Sequence, residues 1–338
     1  MRKISVGFFD TSPDAEKYFR KHLKGLKLRF CGELNGENAL KAKDCGVISC
    51  FVHEKIDSKI LRKMPKLKLI ATRSTGIDHI DLNDCRRQGV CVANVPSYGE
   101  NTVAEHTFAL ILALSRKIIE TKERVDKGDF SGEGLTGWDL AGKTIGIVGT
   151  GKIGSHVARI ASGFNMKILA FDSFRKMELE KDYSVKYVPL AFLLKNSDVI
   201  TLHVPLNRKT KHLINSRNIR MVKKGALLIN TARGGIVETN ALVQGLSKGI
   251  LFGAALDVLE EEGLMRNEDE VLKTIQGKTS EKGVLKTVLQ DHILLKWKNV
   301  LITPHNAFNS REALERIEKT TVENIRAFAE GRMENAVC

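Results

Sequence analysis

The sequence predicts an α/β fold of two domains, each organised on a mostly parallel sheet. Short β-branched runs alternate with helix-like stretches along the whole chain, the pattern of parallel sheets with crossover helices. At 338 residues and 42% hydrophobic composition, the chain is long enough for roughly two domains, each with its own core. A strand running into a glycine-rich turn and then a helix, at residues 143–164, marks one domain as a nucleotide binder.

Taken in order, strands are predicted at Ile4–Phe9, Gly46–Ser49, Leu67–Thr72 and Val90–Ala93. Between the first two, Ser12-Pro13-Asp14 opens a helix, with Ser12 as N-cap and Pro13 in the first helical position. Past Pro96, one long helix is predicted from about Thr102 to Val125; its stretch Ala104–Leu114 is apolar nearly all round, as in a helix buried between elements or subunits. After a Gly-rich loop (128–137), strands are predicted at Thr144–Val148, Lys167–Phe171, Val199–His203, Ala226–Asn230, Gly253–Asp257 and Val300–Thr303. The polar stretch Gly263–Lys298 reads as a solvated helical excursion. An amphipathic helix from Ser310 to Gly331 closes the chain.

Composition narrows the function classes. Net charge is +14, yet the lysines are spread evenly, with no aromatic interleaving and no zinc or helix-turn-helix spacing, so a nucleic-acid partner is not expected. Cys31, Cys45, Cys50, Cys85, Cys91 and Cys338 show no C-x-x-C pairing, which fits reduced thiols in a cytoplasm and no metal site. Apolar runs such as Phe108–Leu114 fall well short of the ~18 residues of a membrane span, and the first residues read as a strand.

The glycine turn is Gly149-Thr150-Gly151-Lys152-Ile153-Gly154. Gly149 permits the tight turn, Gly151 admits a pyrophosphate, and Gly154 lets helix and strand pack closely, with the helix N-terminus facing the phosphates. Asp172, eighteen residues past Gly154 at the next strand end, would accept the adenosine ribose hydroxyls and repel the extra phosphate of NADP, favouring NAD. Arg175 and Lys176 follow closely, and either would attract that phosphate.

Further strand ends carry Arg233, Asp257, Glu262 and His305. A 2-keto acid needs a cation for its carboxylate, a polariser for its carbonyl and a proton donor for the developing alkoxide. Arginine does the first two with its planar fork; a histidine backed by a carboxylate does the third. Glu105 and His106, on the long helix, read as an interdomain hydrogen-bonding pair and not as catalytic groups. His53, His79 and His212 carry no assignment.

These residues, with Leu202-His203-Val204-Pro205-Leu206, Thr231-Ala232-Arg233-Gly234, Thr303-Pro304-His305, Arg73–Asp81 and Asn101–His106, resemble the D-2-hydroxyacid dehydrogenase family over nearly the whole chain. Phe308 and the long polar connection are similar to its D-lactate dehydrogenase branch. The resemblance implies two Rossmann-like or flavodoxin-like parallel-sheet domains: a discontinuous substrate domain (1–101 and 305–338) and an NAD-binding domain (102–304). It implies Arg233 on the substrate's carboxylate and carbonyl, His305 as acid/base and Glu262 holding its imidazole. Backbone amides at Thr75 and Gly76 would take the carboxylate's other oxygen, while Phe51 and Phe308 would shape the side-chain pocket. Gly149, Gly151, Lys152, Ile153, Gly154, Asp172, His203, Val204, Pro205, Thr231, Ala232 and Asp257 would line the cofactor, with Asp257 near the nicotinamide amide. A homodimer through the cofactor domain is implied too. Two departures stand out: Gly263 lies where many members carry proline, with Glu260 and Glu261 beside Glu262; and Asn306-Ala307-Phe308 lacks the glycine common in the phosphoglycerate and glyoxylate branches. The expected reaction is NAD-dependent reduction of a small 2-keto acid, pyruvate to D-lactate first. Alternatives are a longer or aromatic 2-keto acid, phosphite, or an NAD-sensing corepressor of the same fold.

Overall fold

The computed structural model describes residues 4–52, 55–260, 262 and 282–337. Met1–Lys3, His53, Glu261, Gly263, most of the long polar connection and Cys338 lie outside the described residues. The chain divides into two compact units, one made of Met1–Tyr98 with Asn309–Cys338, the other of Gly99–Phe308.

The first unit holds β1 (Ser5–Phe8), β2 (Lys27–Phe30), β3 (Val47–Cys50), β4 (Leu69–Thr72) and β5 (Cys91–Ala93). They pair in the order β2-β1-β3-β4-β5, every pair parallel. The edge strand β2 was not among the predicted strands, because Lys27-Leu28-Arg29-Phe30 is half basic and short, as suits an edge that faces water. The helix Pro13–His22 starts as expected, with the Ser12 hydroxyl accepting from Ala15 N. Its Phe19 is fully buried and stacks on Phe8 at 4.5 Å, and Phe8 stacks on Phe30 at 5.2 Å. The chain's last stretch joins this unit through polar ties: Asn324 Nδ2 donates to Asn94 O at 2.9 Å, and Asn335 Nδ2 donates to Asn324 Oδ1 at 2.8 Å.

The second unit holds β6 (Thr144–Val148), β7 (Lys167–Phe171), β8 (Lys186–Tyr187), β9 (Val199–Leu202), β10 (Ala226–Asn230), β11 (Leu251–Leu256) and β12 (Val300–Ile302). Their order is β12-β11-β10-β9-β6-β7-β8, again all parallel. The single long helix expected over 102–125 is two, Glu100–Ser115 and Ile118–Asp126. The break has a tertiary cause: Trp138 N takes the Ser115 carbonyl at 3.0 Å, and Lys117 turns left-handed at φ +52°. The apolar stretch of the first helix is explained within its own unit. Ala104, Phe108 and Ile111 pack with Val157, Ala158 and Ala161 of the helix Lys152–Gly163 and with β6. Phe108 stacks on Phe164 at 5.4 Å.

Replacing Phe19 by Ala removes a ring from a closed aromatic stack, so we expect a loss of about 3–5 kcal/mol. Urea unfolding followed by circular dichroism checks this; a change below 1 kcal/mol would mean the stack collapses onto the gap.

Candidate active site

Because all seven strands of the second unit run the same way, the residues after them share one edge of the sheet. Gly149 follows β6, Asp172 follows β7, His203 follows β9, and Arg233 lies three residues past β10. Asp257 follows β11, and Thr303 and His305 follow β12. The strand order reverses between β6 and β9, and ligands of open α/β sheets bind at the carboxyl ends beside such a switch point.

The glycine turn has the form a dinucleotide requires. Gly149 sits at φ +96°, and a Cβ there would stand 2.8 Å from the backbone of His203. A Cβ on Gly154 would lie 1.9 Å from Gly149 O, whereas one on Gly151 would meet nothing within 4 Å. The turn is therefore closed on its packed side and open where Gly151 leads into the helix Lys152–Gly163, room that an anion at the helix N-terminus can use. Asp172 Oδ2 accepts from Thr150 N at 2.6 Å and Thr150 Oγ1 at 3.1 Å, and Oδ1 accepts from Phe174 N at 3.0 Å. Burial works to raise its pKa, but the Phe174 and Thr150 donors outweigh that and hold the carboxyl below its usual range. Asp172 is thus a fixed carboxylate with lone pairs left for ribose hydroxyls. Of the two cations behind it, Arg175 is exposed, while Lys176 Nζ turns to Ser155 Oγ at 2.8 Å. Lys152 Nζ stands 3.3 Å from Glu100 Oε1. The half-buried His203 contributes a ring whose Nε2 meets Thr201 Oγ1 at 2.8 Å and whose buried Nδ1 has no partner among the described residues. These residues fit NAD: an open phosphate cradle, a fixed ribose acceptor and an orphaned polar atom beside the turn.

His305 Nδ1 lies 2.9 Å from Glu262 Oε1. The two described glutamates of this segment separate by contact. Glu260 is occupied elsewhere, with Oε1 2.5 Å from His212 Nε2 and Oε2 accepting from Thr239 N and Oγ1 at 3.0 and 2.9 Å. Glu262 faces the imidazole. His305 itself is left-handed at φ +53°, an uncommon conformation for a residue other than glycine and one that the contacts of its loop constrain.

That constraint is Asp257. Expected beside the cofactor, it is 1% exposed and turned to the histidine loop. Its Oδ1 accepts from Thr303 Oγ1 at 2.5 Å and Asn306 N at 2.8 Å, and its Oδ2 accepts from Ala307 N at 2.9 Å. His106 joins the same cluster: its Nε2 is 3.3 Å from Thr303 Oγ1 and 3.7 Å from Asp257 Oδ1. Glu105 is exposed and meets Asn101, because neighbouring helix positions face different ways.

Arg233 is set by the turn after β10, where Asn230 Nδ2 donates to Arg233 O at 2.9 Å and Asn230 Oδ1 accepts from Ala232 N at 3.1 Å. Its Nη1 donates to Ala232 O at 2.8 Å. Gly234 has to be glycine, since a Cβ would stand 1.9 Å from Leu259 O in the segment that leads to Glu262. Thr231 Oγ1 lies 3.0 Å from Thr107 Oγ1 on the helix Glu100–Ser115. Ile153 lies in the first turn of the helix Lys152–Gly163, Val204 and Pro205 follow β9, and Phe308 ends this unit. Phe51, Thr75 and Gly76 belong to the first unit. Among the described residues, no group of three His, Cys, Asp or Glu is arranged to hold a metal ion.

Burial pushes the His203 pKa down to about 3. The unfolded chain takes that proton near pH 6.5 and the folded chain does not, so acid favours unfolding across the window from about 6.5 to 3. We expect stability to fall by up to roughly 2 kcal/mol between pH 6.5 and 4.5 from this group, and His203→Gln to flatten that part of a Tm-against-pH curve; a slope that persists in the variant assigns it elsewhere. Asp257→Asn turns an amide NH2 toward a backbone N–H and should cost about 1–3 kcal/mol, with kcat reduced at least tenfold as the loop relaxes. An unchanged Tm and kcat would show that the loop holds its shape without the carboxylate.

Comparisons with known proteins agree with this geometry. The family profile described as "D-isomer specific 2-hydroxyacid dehydrogenase, NAD binding domain" matches residues 108–307. A glyoxylate reductase of Korarchaeum cryptofilum (strain OPF8) is 36% identical over 297 residues, covering 87% of this chain and 82% of that protein. Among solved structures, the D-lactate dehydrogenase of Aquifex aeolicus, complexed with NAD and lactic acid, superposes with a TM-score of 0.82 at 38% identity over 96% of both chains. The pyruvate reductase of Chlamydomonas reinhardtii gives a TM-score of 0.85 at 34% identity, over 98% of this chain and 97% of that one. With a matched NAD-binding domain, a glycine turn open to phosphate and relatives aligned through both units, this chain belongs to the D-isomer specific 2-hydroxyacid dehydrogenase family and uses NAD as its cofactor.

Proposed function

We propose that this chain reduces a small 2-keto acid reversibly to the D-2-hydroxy acid, with pyruvate and D-lactate the leading pair. The observation that carries the reading is the 2.9 Å contact of His305 Nδ1 with Glu262 Oε1 at the edge that also holds the glycine turn. A carboxylate at Nδ1 keeps the ring proton there and leaves Nε2 to give a proton to the substrate oxygen, or to take one in the reverse direction. Glu262 also disperses the positive charge of the ring while it is doubly protonated. Arg233 lies along the same edge, and its guanidinium neutralises the substrate carboxylate and the charge that builds on the carbonyl oxygen. Asp257 and Thr303 keep the histidine loop in its left-handed turn, so the imidazole is placed before substrate arrives. NAD, when bound at the glycine turn, supplies or accepts the hydride.

Pyruvate is favoured over glyoxylate by Phe308, which follows His305 by three residues and offers an apolar surface to a methyl group. The matches to a D-lactate dehydrogenase and a pyruvate reductase over nearly the full chain support it, while the glyoxylate reductase match keeps glyoxylate as the nearest rival. The same reading carries a homodimer through the NAD-binding unit, where Ile118, Ile119 and Phe130 are exposed at 52%, 46% and 82%. The described cysteines are all free thiols, in keeping with a reducing cytoplasm, and no described helix is long and apolar enough to cross a membrane.

A spectrophotometric screen of 2-keto acids with NADH and NADPH tests the substrate: pyruvate with NADH should give the highest kcat/KM, and a clear preference for glyoxylate or a bulky keto acid would replace the assignment. Arg233→Lys keeps the charge and loses the fork, so kcat/KM should fall about 100- to 1000-fold; turnover close to wild type would remove Arg233 from its role.

A further inference from the structure

His106 touches the Asp257 cluster from outside the loops that build it, and the reaction described above gives it no part. It lies on the helix Glu100–Ser115, whose apolar side packs on the sheet of the second unit. Its Nε2 is 3.3 Å from Thr303 Oγ1, just past β12. The next residue, Thr107, is fully buried and meets Thr231 Oγ1 at 3.0 Å, just past β10. Two adjacent residues of one helix thus reach the loops after two different strands.

Proton bookkeeping gives these contacts a direction. A hydroxyl carries one proton. Thr303 gives its own to Asp257 Oδ1 at 2.5 Å, so toward His106 its oxygen can only accept, and the contact requires a proton on His106 Nε2. The same logic holds next door: Thr107 Oγ1 donates to Val103 O at 2.8 Å, so Thr231 must donate to Thr107. The helix therefore orients both threonines. Asp257 is 1% exposed, and Thr303 Oγ1, Asn306 N and Ala307 N donate to it. Among the described residues, the basic side chain that reaches this carboxylate is His106, with Nε2 3.7 Å from Oδ1. Hydrogen bonds in series polarise one another inside a protein, so an N–H on the Thr303 oxygen strengthens the grip of its proton on the carboxylate. What rests on that grip is His305. Its backbone N–H is shared between Asp257 O at 2.8 Å and Thr303 O at 3.0 Å, the carbonyls of the same two residues.

We propose that His106 is a positioning residue for the reduction: its Nε2–H orients Thr303, Thr303 and Asp257 together hold the backbone of His305, and the imidazole is kept in register with Glu262. The proposal rests on the 2-keto acid reading above and adds the residue that aligns the proton donor from behind. His106 acts through Thr303 and not on the substrate. The role asks for an N–H at this point and not for an imidazole. A glutamine amide supplies that N–H with about the same reach, asparagine is one methylene shorter, and leucine has no donor.

The test has two arms. In the wild type without substrate, nitrogen–proton correlation spectra of the histidine rings, with His106 identified by its loss in His106→Gln, should show the ring proton on Nε2; a ring protonated on Nδ1 alone overturns the proposal. In the second arm, pyruvate reduction and NADH binding by fluorescence are measured for His106→Gln, His106→Asn and His106→Leu. The Gln variant should keep kcat within threefold of wild type, while Asn and Leu lower kcat at least tenfold. The Kd for NADH should stay within twofold in all three. Equal kcat in the three variants, or losses of kcat matched by losses of NADH binding, overturn the proposal. So does failure of both Asn and Leu variants to fold, which would make His106 a structural strut. A wild type that reduces no 2-keto acid fails the parent reading and this one together, whereas a wild type active on pyruvate with Gln, Asn and Leu variants alike fails His106 alone.

Discussion

The carboxylate of Asp257 is the constraint on which the candidate catalytic edge depends. It is buried, and its two oxygens gather Thr303 Oγ1, Asn306 N and Ala307 N from a loop that follows a different strand. A buried carboxylate without donors would be strongly unfavourable, so the loop and the acid stabilise each other. Within the loop so held, His305 takes its left-handed conformation. A second lock works beside it. Glu260 ties the segment after β11 to His212 and to the start of the helix Thr239–Ser247, while Leu259 O lies against Gly234.

Each unit shows the same division of labour between sheet and edge. The central strands are apolar and buried, as parallel strands covered on both faces must be, and they fix direction and spacing. The polar residues that can recognise a ligand come after the strands, where chain ends are free to turn. In the second unit the edge carries a glycine turn, a fixed Asp172 and the His305–Glu262 pair; in the first it carries the turn Ser74–Gly76, whose carbonyls are taken by Val95 N, Asn94 Nδ2 and Ser74 Oγ.

Much of this was legible in the residues because the signals are local. The turn Gly149–Gly154 lies between a strand and a helix, and Asp172 falls at the next strand end, so spacing alone places them. Arg233 and His305 could be singled out because their types at strand ends match what a keto acid needs. The contacts that hold them were not legible, since they join residues far apart in sequence: Thr303 to Asp257 spans 46 positions, and His106 to Thr303 spans 197. The break at Arg116–Lys117 escaped notice for the same reason, because nothing near it announces that Trp138 will take the Ser115 carbonyl.

By itself the amino-acid sequence determined the α/β class, the boundaries of most strands and the cofactor motif, because periodicity and glycine spacing are properties of neighbours along the chain. Only the tertiary structure decided that Glu262 and not Glu260 meets the imidazole, that Asp257 holds the histidine loop, and that Arg73 lies buried with its guanidinium on backbone carbonyls and the Phe51 ring. Burial and partner choice are set by how distant segments pack, and a side chain's charge says nothing about its surroundings until they have closed over it.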